Sequence, residues 1–175
     1  MISLVILLLA GGWIALSAIS SDRTAQELIA APREGFLAPD ARVLDASGQE
    51  IPLSSLRGKP VILNFWASWC KPCQAEMPTL QKIHQDYAPR GLIILGVNAT
   101  YQDRASFALA FAQEMKLTFP IYFDVTGKAA GEYQVRALPS TYFIDAKGVI
   151  RKVVIGGPIA EALLRSQARL LLEEP

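Results

Sequence analysis

The apolar run Val-Ile-Leu-Asn-Phe-Trp-Ala at residues 61–67 leads into Cys70 and Cys73, the only two cysteines of the chain. Such a run, bounded by turn residues, predicts a strand buried on both faces of a sheet. Apolar residues at positions 77, 80, 83 and 87 then recur at helical spacing, which predicts a helix from Cys73 to Tyr87. The cysteines therefore lie where a buried strand ends and a helix begins, and the fold must be built around that junction.

Strand and helix patterns alternate along the rest of the chain, which indicates an α/β domain with a mixed central sheet. A hairpin pattern surrounds Ser47-Gly48, and two further strands are predicted within 91–99 and 119–124. A helix is predicted at 103–116, where Asp103 marks its start. Two strands joined by a turn at 145–148 precede a last helix at 158–172, which we expect to carry Pro158 in its first turn.

Three interpretations of the cysteine pair compete. A structural zinc site needs four Cys or His ligands, and the chain offers only the two thiols and one imidazole, His84, which we expect on the exposed surface. A structural disulfide across two intervening residues closes so short a loop that it constrains the unfolded chain very little. A redox-active pair is the interpretation that the local physics favours.

The start of a helix favours a thiolate at Cys70, because the free N–H groups and the positive end of the helix dipole lie there. The thiolate is the form of cysteine that attacks a disulfide. Pro72 suits the first helical turn, where its missing N–H has no partner, and Lys71 adds positive potential. Cys73, one turn into the helix, is expected to be less exposed and to act second.

The N-terminal segment and the charge balance bear on location. The first charged side chain is Asp22, and residues 1–20 are close to the ~20 apolar residues that span a bilayer. We expect 1–20 to be a transmembrane signal anchor or a cleaved signal peptide, 21–37 a linker, and 38–175 a folded domain. The protein would then be a single-pass protein of the cell membrane with its domain extracytoplasmic. A net charge of +1 gives no indication of a nucleic-acid partner.

Two segments carry a family resemblance: Asn-Phe-Trp-Ala-Ser-Trp-Cys-Lys-Pro-Cys-Gln-Ala-Glu-Met-Pro at 64–78 and Ala-Leu-Pro-Ser-Thr-Tyr-Phe at 137–143. They resemble the thioredoxin superfamily, above all its membrane-tethered extracytoplasmic branch of ResA, TlpA and CcmG-type thiol-disulfide oxidoreductases. AhpC/TSA-type peroxiredoxins share the fold, but the P-x-x-x-T-x-x-C setting of their reactive cysteine is absent here. The resemblance implies a thioredoxin fold over 38–175, with an N-terminal β-hairpin at 40–57 and a central αβ insertion at 101–123.

The resemblance also implies site residues. Pro139 should have a cis peptide bond and face the cysteine pair, so that the backbone of Leu138 can pair with a substrate strand. Glu76 should lie near the pair and act as proton acceptor for Cys73, because Asn64 stands where thioredoxin has a buried aspartate and cannot accept a proton. The alternative for Glu76 is a first-turn carboxylate that complements the helix dipole.

Further site residues follow from the same resemblance. Trp69 should form a substrate-contact surface with Lys71 and Pro72, whereas Trp66 should belong mostly to the core. No metal and no cofactor is implied, because the cysteine couple itself carries the electrons. The hairpin and the insertion are the parts in which we expect partner specificity.

The function that the resemblance implies is reduction of disulfides in exported proteins through a Cys70–Cys73 couple. Apocytochrome c or a copper-site protein would be the substrate, and an upstream membrane thiol reductant would reopen the disulfide. Two alternatives stay open: a thiol oxidase or disulfide donor of the same fold, and a metal-binding module whose two thiolates carry Cu(I).

Overall fold

Strand β3 (Val61–Trp66) lies inside a seven-stranded sheet, and every one of its residues is buried. The structure, a computed structural model, describes residues 29–173. On one side β3 pairs in parallel with β4 (Ile93–Asn98), and on the other it pairs antiparallel with β6 (Ser140–Ile144). The prediction of a strand buried on both faces is therefore confirmed.

The sheet is mixed and has the order β2-β1-β5-β4-β3-β6-β7. Its remaining strands are β1 (Arg42–Leu44), β2 (Glu50–Pro52), β5 (Ile121–Phe123) and β7 (Ile150–Ile155). The helices are α1 (Lys71–Tyr87), α2 (Ala105–Glu114), α3 (Lys128–Glu132) and α4 (Glu161–Glu173). The hairpin pattern around Ser47-Gly48 is the antiparallel pair β1–β2, and the turn at 145–148 joins β6 to β7.

Alternation along β3 divides the interior into two cores. Ile62 and Trp66 pack in a cluster with residues of α1, α2 and α4, including Met77. Leu63 and Phe65 pack in a second cluster on the opposite face. Because successive strand residues point to opposite faces, the intervening even-numbered Asn64 lies on the α1 side. A buried polar side chain is thus directed toward the helix that carries the cysteines.

Two helices and one side chain differ most from what the sequence predicts. The last helix begins at Glu161 rather than at Pro158. The N–H of Ile159 donates to the Glu76 carboxylate, so the chain turns at this point before the helix starts. The short helix α3 was not predicted. His84, which we expected to be exposed, is half-buried with its ring 6.1 Å from that of Phe119, and its burial lowers its pKa.

Residues 29–38 are hydrogen-bonded to the sheet at the β6–β7 turn. The N–H of Ala38 donates to the carbonyl of Gly148, and Leu37 bridges to Val149. The expected anchor at 1–20 and the first part of the expected linker lie outside the described residues. Within residues 29–173, none of the helices has the length and apolar character needed to cross a bilayer.

Gly96 in β4 offers a test of how tightly the α1-side core is packed. A Cβ at this position would lie 2.8 Å from Cδ1 of Ile121 and 3.1 Å from Nε1 of Trp66. We expect Gly96→Ala to lower the free energy of unfolding by about 1–3 kcal/mol, because the added methyl group overpacks the site beside the fully buried Trp66 indole. Urea denaturation of the oxidised protein measures this.

Gly131→Ala is the matched control for that substitution. Gly131 lies in α3, and a Cβ there would have no heavy atom within 4 Å. Alanine favours helix over glycine, so this variant should be as stable as the wild type or slightly more stable. Equal effects of the two substitutions would contradict the packing argument.

Candidate active site

Cys70 and Cys73 occupy the junction between β3 and α1 and are joined by a disulfide. Cys70 is the N-cap residue of α1, with extended backbone dihedrals (φ −77°, ψ 106°), and its Sγ accepts a hydrogen bond from the N–H of Cys73 at 3.3 Å. Pro72 lies in the first turn, as its missing N–H permits. Cys73 is fully buried, whereas 5% of Cys70 is exposed, so a partner reaches the pair from the Cys70 side.

Glu76 lies fully buried on α1, one turn beyond Cys73. Its Oε1 accepts a hydrogen bond from Nδ2 of Asn64 at 2.8 Å, and its Oε2 accepts one from the N–H of Ile159 at 3.2 Å. Asn64 Nδ2 also donates to the hydroxyl of Thr141 on β6. Burial raises the pKa of Glu76 to about 7 against the opposing effect of these hydrogen bonds. Near neutral pH the carboxyl can therefore both take up and release a proton.

Pro139 and Gly157 close the site from the C-terminal part of the chain. The Leu138–Pro139 peptide bond is cis, and the carbonyl of Pro139 accepts a hydrogen bond from the N–H of Gly156. A Cβ on Gly157 would lie 2.6 Å from Oε2 of Glu76 and 2.7 Å from Cγ of Pro139. Only glycine allows the chain to approach both groups so closely, so this position brings the Pro139 loop and the buried carboxyl together.

Asp103 connects the loop that precedes Cys70 to the chain that follows β4. Its carboxylate accepts hydrogen bonds from the N–H of Ser68 at 2.6 Å, the hydroxyl of Ser68 at 2.8 Å and Nδ2 of Asn98 at 2.8 Å. Nε1 of Trp69 donates to the carbonyl of Gln102 at 3.0 Å, and 55% of Trp69 remains exposed. The sequence predicted Asp103 as a helix start, and the helix begins two residues later at Ala105. The carboxylate accepts hydrogen bonds from the cysteine loop as well as from the N–H of Arg104.

A groove of about 470 Å³ opens beside Cys70. Three segments line it, namely residues 69–72, the pair 101–102 and residues 135–138. Trp69, Lys71, Pro72 and Leu138, the residues expected to contact substrate, all belong to this lining. Pro139 and Glu76 lie behind it, in contact with Gly157.

Sequence reasoning missed Asp103, Gly157 and Arg136. Asp103 and Gly157 act through contacts between distant segments, and Arg136 becomes notable only once the groove is seen. The dipeptide Gly156-Gly157 before Pro158 indicates that the backbone approaches another part of the protein closely there. The sequence does not identify that part. Nothing in the residues around 103 pointed to Ser68.

Reversible opening of a two-residue disulfide loop at the start of a helix, on a mixed sheet flanked by helices, is the chemistry of thioredoxin-like thiol-disulfide oxidoreductases, and this enzyme is one of them. Residues 35–153 match the AhpC/TSA family, and the chain belongs to that family. This match and the ResA relatives together confirm the resemblance to thioredoxin-like thiol-disulfide oxidoreductases inferred from residues 64–78 and 137–143.

Relatives and solved structures agree with this assignment. The thioredoxin-like protein YneN of Bacillus subtilis is 42% identical over 125 residues, covering 71% of this chain and 72% of YneN. The thiol-disulfide oxidoreductase ResA of Geobacillus kaustophilus is 39% identical over 131 residues, covering 75% of this chain and 74% of ResA. The crystal structure of StoA from Bacillus subtilis superposes with a TM-score of 0.63 at 29% identity, covering 74% of this chain and 98% of StoA.

The raised pKa of Glu76 predicts a pH-dependent loss of stability that Glu76→Gln should remove. In the unfolded chain the carboxyl ionises near its ordinary pKa of 4.5, but in the folded protein it keeps its proton up to about 7. The folded state therefore binds more protons between these values, and its stability falls as pH rises through them, by on the order of 3 kcal/mol in total. Urea denaturation of the oxidised wild type and Glu76→Gln across this range measures the difference.

The expected result is that Glu76→Gln gains stability relative to the wild type as pH rises, with the gain levelling off above about pH 8. The matched control is Glu114→Gln, which neutralises an exposed carboxylate on α2. If the free energies of unfolding of the wild type and Glu76→Gln changed with pH in parallel, the buried carboxyl would not titrate as described.

The Asp103 contacts predict a loss of stability when the carboxylate is removed. Asp103→Ala would leave the N–H of Ser68 and the amide of Asn98 without their acceptor, at a cost of about 1–3 kcal/mol in the free energy of unfolding. Hydrogen bonds from Ser68 and Asn98 hold the pKa of Asp103 below its ordinary 3.8 although burial opposes them. The contribution is therefore fully present above pH 3.8 and is lost as pH falls below it.

Asp103→Asn serves as the conservative variant, because its remaining side-chain oxygen can still accept one of these hydrogen bonds. Its loss of stability should be smaller than that of Asp103→Ala. Chemical denaturation at neutral pH and near pH 3 compares the three proteins. A wild-type advantage that did not shrink in acid would contradict the assigned role.

Proposed function

We propose that this oxidoreductase works outside the cytoplasmic membrane as a reductase of disulfides in exported proteins. The observation that carries the proposal is the asymmetry of the cysteine pair. Cys70 borders an open groove at the N-cap of α1, whereas Cys73 is completely enclosed. This asymmetry supports Cys70 as the sulfur that meets a partner and Cys73 as the sulfur that acts only after Cys70 has reacted.

The reaction begins with both cysteines reduced. The Cys70 thiolate, stabilised by the helix N-terminus, attacks one sulfur of the substrate disulfide. A Cys70–substrate disulfide forms, and the second substrate sulfur leaves as a thiolate that takes up a proton. The Cys73 thiolate then attacks Sγ of Cys70 and displaces the first substrate sulfur. Two electrons have moved to the substrate, and the enzyme holds a Cys70–Cys73 disulfide.

Glu76 is proposed as the group that accepts the proton of the Cys73 thiol. Its location one helical turn from Cys73 and its pKa of about 7 suit a general base that must be ionised in part of the population and protonated afterwards. Asn64 orients the carboxyl through its hydrogen bond and cannot itself take the proton. Glu76 therefore serves the second step of the reaction rather than the first.

The groove is proposed to hold the substrate chain. A segment passing Cys70 in extended form would lie along the backbone of Leu138, beside Pro139, as a strand adds to a sheet edge. Trp69 would cover it from the other side, and its indole is already fixed to Gln102. Lys71 and Pro72 complete the contact surface at the helix start.

An upstream dithiol reductant in the membrane is needed to reopen the Cys70–Cys73 disulfide for the next cycle. Disulfides form readily in extracytoplasmic compartments. Reducing a disulfide there therefore needs a dedicated enzyme. Apocytochrome c and copper-site proteins with paired thiols are the proposed substrates, and residues 1–20 are proposed to anchor the enzyme in the membrane. Within residues 29–173 no observation favours the Cu(I)-carrying alternative.

Oxidation in the reverse direction is the competing function, and one observation favours it. Stabilisation of the Cys70 thiolate at a helix N-cap makes the reduced form more stable and the couple more oxidising. Equilibration with glutathione decides between the two directions. A reductase should have a potential closer to that of thioredoxin, about −270 mV, than to the −120 mV or so of a strong oxidant. A value at the oxidant end would overturn the reductive assignment.

Cys73→Ala should trap substrates, because the Cys70–substrate disulfide can form but cannot be resolved. We expect adducts that disappear on treatment with dithiothreitol when the full-length variant is expressed in native membranes. Cys70→Ala is the matched control and should give far fewer adducts, since Cys73 is buried. Absence of adducts, together with a wild type that fails to reduce insulin disulfides, would defeat the mechanism.

A further inference from the structure

The groove beside Cys70 carries positive charge on two of its three segments. Lys71 is the first residue of α1 and Arg136 belongs to the segment that precedes Leu138, and both are exposed. Neither forms a salt bridge with any residue of 29–173. The other lining residues are aromatic, aliphatic or uncharged, so no carboxylate lines the groove.

The two carboxylates that neighbour the lining residues 101–102 are already engaged elsewhere. Asp124, whose backbone carbonyl accepts from Tyr101, is buried and caps α3 by accepting from the N–H groups of Ala129 and Ala130. The Asp103 carboxylate is occupied by the contacts to Ser68 and Asn98 described above. The two exposed cations at the groove therefore keep their charge available to a ligand.

We propose that this groove selects disulfides flanked by acidic residues, with Lys71 and Arg136 as the specificity-determining side chains. The inference rests on the proposed reductase function and names the chemistry of its substrates. A carboxylate close to the substrate disulfide meets Lys71 next to the attacking sulfur and Arg136 on the opposite segment. Such rim charges act mainly on the rate of productive encounter and on partner choice.

Two synthetic peptides provide the probe. Each contains the same intramolecular disulfide, flanked by Glu in one peptide and by Lys in the other. The rate constant for reduction by the reduced full-length protein is divided by that for dithiothreitol, an uncharged reductant, so that differences in intrinsic reactivity cancel. We expect a preference of roughly tenfold for the Glu peptide at low ionic strength. Near 1 M salt, where the Debye length is about 3 Å, the preference should largely vanish.

Charge reversal tests the two residues directly. Arg136→Glu should reduce the preference by roughly three- to tenfold, and adding Lys71→Glu should invert it. Because the readout is a ratio between two peptides, it is insensitive to the change that Lys71→Glu makes in the reactivity of Cys70. Lys147→Glu, at the exposed position of the turn at the other end of β6, changes the net charge equally and should leave the ratio unchanged.

Three results would overturn the inference. Equal reduction of both peptides, or a preference for the Lys peptide, would show that the groove does not select acidic flanks. An effect of Lys147→Glu as large as that of Arg136→Glu would show that net charge acts rather than the groove. Failure to reduce either peptide would instead defeat the proposed reductase function, and the inference would fall with it.

Discussion

The arrangement of the active site depends on the buried carboxyl of Glu76. An ionisable group without solvent must be hydrogen-bonded, and its two oxygens find partners on the central strand and on the chain that precedes α4. These hydrogen bonds join β3, α1 and the connection between β7 and α4 at one point. Gly157 is required at that point because any side chain would displace the carboxyl or Pro139.

The same contact explains which parts of the fold the sequence could and could not predict. The buried strand β3, the helix α1 and the reactive cysteine junction follow from local periodicity and from the physics of a helix start. The true start of α4 does not, because Ile159 donates to a residue on another helix. Asp103 was predicted only as a helix start for the same reason: its carboxylate also accepts from Ser68, on a loop distant in sequence.

Residues 102 and 103, at the start of the segment predicted to be an insertion, take part in the site. Asp103 and Gln102 bind the loop that carries Trp69 and Cys70. A substitution at Gln102 or Asp103 is therefore expected to change the shape of the groove without touching either cysteine.

The docking of residues 29–38 at the β6–β7 turn has a geometric consequence. Residue 29 lies beside Leu37, which bridges to Val149, whereas Cys70 and Pro139 lie at the opposite end of the strands. The described chain therefore enters the domain at the pole opposite the cysteine pair. A partner that approaches Cys70 does not meet residues 29–38.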